Sequence, residues 1–240
     1  MASSQSSSPQ AKIKCKGVLF DMDGILVSSM GSVERSWTKW AALRGLAPDI
    51  TTRLAHGRRA IETVGMLAPD LDPEQELKVI EDLEIADNEG LSVLPGVLDL
   101  LAALMPTSEG KPRWTVVTSA TERLARARMA TGGVPVPEQL ITADFVTRGK
   151  PHPEPFLAGA ALLGFAPEDC VVFEDSASGA KAGREAGCQV VATTFSHPIE
   201  SLDDAHYLVT DLTGMKVKTL PADEGIELSF TQLSAQARKS

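Results

Sequence analysis

Two aspartates spaced by one residue, Asp21 and Asp23, follow an apolar run and precede Gly24. The run over 14–20 predicts a buried strand, and a bare carboxylate at the end of such a strand is costly to desolvate. A divalent cation would offset that cost, and open α/β sheets bind their ligands at the carboxyl ends of their strands. The pattern therefore predicts a functional site built on the two aspartates.

Further polar groups come later in the chain, each at the end of an apolar run or beside one. They are Thr118 with Ser119, Lys150, and Glu174 with Asp175. In a parallel sheet the carboxyl ends of the strands meet at one edge, so we expect these side chains to converge. Taken singly, each group has an ordinary structural interpretation, such as a helix cap or a surface charge. Their ordered combination predicts a catalytic site.

These residue types are the ones that phosphoryl transfer through a carboxylate requires. Asp21 can attack phosphorus, and Asp23, on the same side of the extended chain, can protonate the leaving alcohol and later deprotonate water. Lys150 offers positive charge, and Thr118 and the backbone N–H groups after it offer hydrogen bonds to phosphate oxygens. Asp175 can hold Mg²⁺ together with Asp21, because this hard cation prefers oxygen ligands. The expected cofactor is Mg²⁺.

Strand-like runs alternate with helical patterns over most of the chain, which predicts an α/β fold with a Rossmann-like parallel sheet. The later strands are expected over 114–118, from Ile141, over 170–173, Gln189–Thr193 and Tyr207–Val209, with an edge strand at Ile226–Thr231. Helices are expected at Val97–Leu104, 121–130, Glu154–Leu163 and 178–186.

The segment 29–92 breaks this rhythm, because it has helical patterns and no convincing strand. It predicts a helical cap inserted after the first strand, with a catalytic core over 13–28 and 93–240 and a disordered serine-rich tail over 1–12. Its acidic stretch, 70–89, is interpreted as a solvated helix face and not a metal cluster. His56 and Arg59 are candidates for contacts between the cap and the substrate.

The chain resembles the haloacid dehalogenase-like hydrolases. Phe20 to Gly24 matches the first motif of that family, Val117 to Ser119 the second, Lys150 the third and Glu174-Asp175 the fourth. The resemblance implies a phosphorylated aspartate, a main-chain metal ligand at Asp23 and a cap between the first and second motifs. The sets it implies are catalytic Asp21 and Asp23; phosphate-binding Thr118, Ser119 and Lys150; and metal-binding Asp21, Asp23, Glu174 and Asp175.

A narrower similarity is to phosphatases of glycerol phosphate and 2-deoxyglucose-6-phosphate, with β-phosphoglucomutase more distant. It rests on three core stretches, 141–143, 149–155 and 172–176, and on the cap stretch 56–59. The predicted function is Mg²⁺-dependent hydrolysis of small sugar or polyol phosphate esters. Two alternatives stay open: a phosphomutase, which returns the phosphoryl group to a second hydroxyl, and a non-catalytic phosphate-binding module.

The composition of the chain limits the classes of partner that it is expected to bind. The 240 residues carry a formal net charge of −9, which argues against binding to nucleic acid or to anionic membranes. No apolar run approaches the roughly 20 residues of a membrane span, and the first residues lack the apolar core of a signal peptide. The three cysteines, Cys15, Cys170 and Cys188, suggest no disulfide framework. We expect a cytoplasmic monomer whose partner is a small phosphate ester.

Overall fold

A computed structural model describes residues 9–48, 58–104, 112–221 and 224–234. The strands are β1 (Gln10–Cys15), β2 (Gly17–Phe20), β3 (Val27–Ser28), β4 (Ser92–Val93), β5 (Trp114–Val116), β6 (Cys170–Glu174), β7 (Gln189–Thr193), β8 (Tyr207–Val209), β9 (Lys216–Thr219) and β10 (Ile226–Thr231). The helices are α1 (Met30–Arg44), α2 (Ala60–Leu67), α3 (Pro73–Ala86), α4 (Val97–Leu104), α5 (Glu122–Gly132), α6 (Glu154–Leu163) and α7 (Ala177–Glu185).

The central sheet has five parallel strands in the order β5-β2-β6-β7-β8. Its inner strands are continuous apolar runs because both faces of the sheet are covered by other elements. Alternate residues enter different core clusters: Phe20 and Phe173 lie in one, and Leu19 and Val172 lie in the other. The predicted α/β fold with a Rossmann-like parallel sheet is confirmed.

The apolar run over 14–20 is divided between two sheets, whereas the sequence analysis took it as one strand. Strand β1 pairs antiparallel with β10, and β2 enters the parallel sheet. Lys16 separates the two strands and forms a 2.8 Å ion pair with Asp169. Because β1 begins at Gln10, the prediction of a disordered tail is wrong for residues 10–12.

Two other strand predictions need correction. Strand β10 alternates between buried and partly exposed residues, as expected, but it is the middle strand of the antiparallel sheet β1-β10-β9 and not an edge. Ile141 forms only an isolated bridge to Val117 and starts no strand.

The sequence locates the core helices well. Helix α6 has the predicted bounds, because Pro153 precedes it and Gly164, with a φ of 75°, ends it. Helix α5 is capped by Thr121, whose hydroxyl accepts from Leu124 N at 3.4 Å. Thr118 therefore lies outside the helix.

Helices α1, α2 and α3 bury a cluster of their own, formed by Trp37, Trp40, Val64 and Ile80. A short ribbon of β3 and β4 connects this helical layer to the core through the pairs Val27↔Val93 and Ser28↔Ser92. We keep the name cap for this layer. The chain therefore leaves the core and returns to it at adjacent points.

The acidic stretch of the cap is not simply a solvated face. Three of its side chains are buried, and each accepts hydrogen bonds: Glu76, Glu81 and Glu84. Glu76 bonds within the cap, whereas the other two bond to residues of α5 or its capping residue. Among the described residues, the only possible metal cluster lies elsewhere, in the core.

None of the described helices combines the length and the apolar character needed to cross a membrane.

Candidate active site

The carboxyl ends of β2, β5 and β6 surround one cavity, and the core residues predicted from the sequence line it together. They are Asp21, Asp23, Thr118, Ser119, Lys150, Glu174 and Asp175. The cap closes the other side of the cavity with Met30, Val33, Trp37, Arg58, Ala60 and Glu84. The predicted convergence of these segments is thus present in the structure.

Lys150 is the cation at the base of the cavity, and its side chain is 2% exposed. Its Nζ donates to Asp21 Oδ1 at 2.7 Å, to Glu174 Oε1 at 2.7 Å and to the carbonyl of Val117 at 3.0 Å. Burial opposes the charge on Lys150, but the two carboxylates raise the pKa of the ammonium above its usual value. The lysine is therefore a permanent positive charge beside Asp21.

Glu174 is held on both of its oxygens. Oε1 accepts from Lys150, and Oε2 accepts from the backbone N–H groups of Asp175 and Ser176 at 2.9 and 3.0 Å. A Cβ at Gly179, in the first turn of α7, would lie 1.7 Å from Oε1, so only glycine admits the carboxylate there. These bonds favour a role for Glu174 in orienting Lys150 over direct binding of a metal.

Asp21 and Asp175 form the acidic part of the site. With Glu174, they place one carboxylate oxygen each within 4.8 Å of the others. Burial, with added repulsion from Glu174 and Asp23, raises the pKa of Asp21 from 3.8 to about 7, despite the attraction of Lys150. Burial, with added repulsion from Glu174 and Asp21, holds the pKa of Asp175 well above its usual value. Three buried carboxylates share one ammonium, and the surplus negative charge fits a divalent cation.

Gly24 is required at the turn after the two aspartates. Its φ is 79°, and a Cβ there would lie 1.9 Å from Asp175 Oδ2 and 2.5 Å from Ser196 Oγ. A side chain at this position would displace the proposed metal ligand.

Asp23 is joined to residues that sequence analysis missed. Its Oδ1 accepts from Ser29 Oγ, and from Arg128 Nη1 at 2.7 Å. Arg128 is buried on α5 and its Nη2 also donates to Glu84 Oε2 in the cap at 2.9 Å. The signal that could have revealed Arg128 is its helical spacing, because it falls on the buried face of α5 with Leu124, Ala125 and Met129.

Thr118 and Ser119 lie in the loop between β5 and α5. Thr118 is buried, and its Oγ1 accepts from Ala120 N at 3.1 Å, which fixes the loop between β5 and the helix. Its own backbone N–H donates to the carbonyl of Ile141 at 2.9 Å. The Thr118 hydroxyl can still donate its proton to a phosphate oxygen.

Two residues of the cap, His56 and Arg59, were predicted to contact the substrate. His56 lies outside the described residues. Arg59 donates to the carbonyls of Val146 and Thr147 at 3.0 and 2.9 Å and pairs with Glu62, so it fastens the cap to a core loop. Arg58 lines the cavity instead. The structure therefore makes Arg58 a better candidate than Arg59 for contact with a substrate.

The sequence profile of the haloacid dehalogenase-like hydrolases matches residues 15–187, which include all four motifs. The chain belongs to this family. Hexitol phosphatase A of Escherichia coli (strain K12) is 39% identical over 212 residues, which are 87% of this chain and 97% of that protein. Glycerol-1-phosphate phosphohydrolase 1 of Saccharomyces cerevisiae is 33% identical over 195 residues, 76% of this chain and 77% of the relative.

Among solved structures, β-phosphoglucomutase from Clostridium difficile superposes with a TM-score of 0.67 and 20% identity, over 84% of this chain and 93% of that one. At that identity the likeness concerns the fold. The family and its curated relatives make this member of the haloacid dehalogenase-like hydrolases a phosphate-monoester hydrolase.

Proposed function

We propose that this hydrolase cleaves small sugar or polyol phosphates with Mg²⁺, and that Asp21 carries the phosphoryl group in transit. The observation that carries the proposal is the contact of Lys150 with Asp21 and Glu174 inside a cavity that Asp23 and Asp175 also line. The catalytic core would comprise 10–28 and 93–240, its start moved from the predicted residue 13 by strand β1, and the cap 29–92.

In the first step Asp21 attacks phosphorus and the bond to the alcohol oxygen breaks. Lys150 keeps one Asp21 oxygen oriented and offsets negative charge on the phosphoryl group. Thr118 and Ser119, which line the cavity, donate hydrogen bonds to the phosphate oxygens. A metal ion held by the Asp21 and Asp175 carboxylates and the Asp23 carbonyl would neutralise phosphate charge. Glu174 would act indirectly, by holding the Lys150 ammonium in its orientation.

Asp23 moves the protons. The side-chain hydrogen bonds that Asp23 accepts from the described residues all reach Oδ1, so Oδ2 is the oxygen available to give a proton to the leaving alcohol. In the second step the same oxygen takes a proton from the water that attacks the phosphoaspartate, so phosphate is released and Asp21 is restored.

The cap side of the cavity supports a polyhydroxylated leaving group. Arg58 offers a cation there, and Trp37 and Met30 offer apolar surface, whereas the carboxylate of Glu84 is already bonded to Arg128 and Trp37. Such mixed linings suit sugars and polyols, whose hydroxyls need hydrogen bonds while their C–H faces pack on apolar groups. The substrates in the names of the hexitol and glycerol-1-phosphate relatives support the same class.

The function is tested by phosphate release from a panel of hexitol, hexose and glycerol phosphates. We expect turnover with Mg²⁺, none after EDTA treatment, and full recovery when Mg²⁺ is returned. Hydrolysis that persists in EDTA at the original rate would contradict the metal requirement. Conversion of a hexose monophosphate into an isomer without phosphate release would instead establish the phosphomutase alternative, which no specific observation favours.

The roles of Arg58 and Arg59 can be separated on the same panel. Arg58→Ala should change the ranking of substrates, because it removes a charge that lines the cavity. Arg59→Ala should lower kcat/KM by a similar factor for all substrates, because it removes the bonds that hold the cap to the 146–147 loop. An unchanged ranking in Arg58→Ala would exclude it as a specificity residue.

Location and assembly stay predictions: a cytoplasmic monomer with no nucleic-acid or membrane partner. The three cysteines are free and buried, which supports a reducing setting.

A further inference from the structure

Arg128 links two carboxylates that come from different layers of the protein. Its side chain is 4% exposed, and it donates from Nη1 to Asp23 in the core and from Nη2 to Glu84 in the cap. Glu84 is itself oriented by Trp37, whose Nε1 donates to Oε1 at 3.1 Å. A buried guanidinium is tolerated only when it is paired, so these contacts fix one another.

Arg128 shares its guanidinium between Asp23 and Glu84, and this determines how many bonds Asp23 receives from it. Arginine can bind a carboxylate through two parallel N–H···O bonds, which occupy both carboxylate oxygens. Here Glu84 takes one nitrogen, so Asp23 receives a single bond from Arg128, and that bond falls on the oxygen that Ser29 also contacts. Oδ2 of Asp23 is thereby left for proton transfer.

Glu84 is present at this place only while α3 lies against α5. Glu84 is on α3 of the cap and Arg128 is on α5 of the core. If the cap lifted, Arg128 would lose one partner, and its second nitrogen could then bind Oδ2 of Asp23. The paired geometry would cover the oxygen that the chemistry requires.

We infer that Arg128 is a positioning residue for the proton-transfer step, and that Glu84 couples it to the cap: the seated cap draws one nitrogen of Arg128 away and frees Asp23 Oδ2. The inference rests on the proposed function, because it assigns proton transfer to Asp23. It adds that proton transfer is enabled by the same contact that seats the cap.

A purely structural role is the competing explanation, in which Arg128 and Glu84 only hold the cap in place. The two roles differ in how the rate depends on the leaving group. An alcohol leaves slowly unless it is protonated, whereas p-nitrophenolate leaves readily without a proton. Loss of positioning should therefore slow alcohol release selectively, while loss of the cap contact alone should slow both substrates together.

The experiment compares Arg128→Met and Glu84→Gln with the wild type on glycerol phosphate and p-nitrophenyl phosphate, with Mg²⁺ present. We expect kcat on glycerol phosphate to fall by about 10²-fold, the effect of a misplaced catalytic group. The first-turnover burst of p-nitrophenol, measured by rapid quench, should stay close to the wild-type rate.

Matched controls come from the same two helices. Glu76→Gln changes another buried glutamate of α3 that bonds a tryptophan and an arginine, Trp40 and Arg44, but only within the cap. Arg126→Met changes a neighbouring arginine of α5 that bonds Glu122 and two carbonyls. Both controls should affect the two substrates equally.

Either single variant leaves a buried charge without its partner, so its folding is checked by thermal unfolding. If one fails to fold, the double variant Arg128→Met/Glu84→Gln, which removes both charges, must show the same selective loss. Equal losses on both substrates, or no loss, would overturn the inference. Failure of the proposed function would give a different result: the p-nitrophenol burst of the wild type would persist in Asp21→Asn.

Discussion

Asp21→Asn should abolish turnover while the protein remains folded. The amide cannot attack phosphorus, and loss of a covalent nucleophile typically costs more than about 10⁴-fold in kcat. The amide oxygen can still accept from Lys150 Nζ, so the local geometry is expected to survive. Phosphate release with Mg²⁺ is the measurement, with circular dichroism as the control for folding.

The same variant should be more stable than the metal-free wild type at neutral pH. The pKa of Asp21 is raised from 3.8 to about 7, so the folded state holds this proton more tightly than the unfolded state does. Unfolding free energy of the wild type therefore falls as pH rises from about 4 to about 7, by a few kcal/mol in order of magnitude. Asp21→Asn lacks this loss, so its advantage should be absent near pH 4 and complete above pH 7.

Urea unfolding of both proteins across this pH range, with and without Mg²⁺, measures the effect. Mg²⁺ should stabilise the wild type more than the variant, because the variant lacks one carboxylate ligand. Near wild-type activity in Asp21→Asn would refute the nucleophile assignment. A wild-type advantage at pH 8 without metal would refute the electrostatic account of the site.

Lys150→Met should give the largest loss of stability at the site. It removes the ammonium that contacts both Asp21 and Glu174, and breaking a buried ion pair from one side costs about 3 to 5 kcal/mol. The methionine keeps the volume of the lysine stem against Phe156, whose ring centroid lies 4.9 Å from Nζ. The midpoint of urea unfolding at pH 8 is the measurement, and kcat should fall as well.

The loss of stability in Lys150→Met should be smaller at pH 5 than at pH 8. At the lower pH the carboxylates left without the ammonium can take up protons. A second variant, Lys150→Met/Glu174→Gln, removes one of the two unpaired charges and should recover part of the stability. An unfolding midpoint in Lys150→Met equal to that of the wild type would show that Lys150 is not the electrostatic centre of the site.

The core site could be predicted from the sequence because its residues follow strands, and parallel strands end at one edge. Asp21, Thr118 and Asp175 are tied to β2, β5 and β6, so recognising the strands was enough to bring them together. Lys150 lies in a loop, and it was assigned to the site from its order among the other polar groups and from its match to the third family motif. The structure adds that it bonds Asp21 and Glu174 at the same time.

Arg128 and Glu84 were missed because charged residues on helices are usually solvated. Helix α5 carries three arginines, Arg123, Arg126 and Arg128, and composition does not show which of them is buried. The spacing does: Arg128 is four residues from Leu124 and one from Met129, on the apolar face. Glu84 likewise follows the buried Ile80 by four residues.

The division between β1 and β2 was also visible in the pattern. Residues 10–15 alternate between exposed and buried positions, as expected for a strand with one solvated face, whereas 17–20 are buried throughout. Reading the two patterns as one run hid the change of sheet at Lys16. Residues 10–12, which were predicted to belong to the tail, are the start of the alternating strand.

The ribbon of β3 and β4 gives the chain the layout of a cassette, because the helical segment leaves and re-enters the core at paired residues. Such an arrangement lets recognition of new substrates evolve by exchange of the cassette while the reaction centre is inherited intact. The bond between Glu84 and Arg128 sets a condition on that exchange. A transplanted segment must bring a carboxylate to the same place, or the host must lose its arginine.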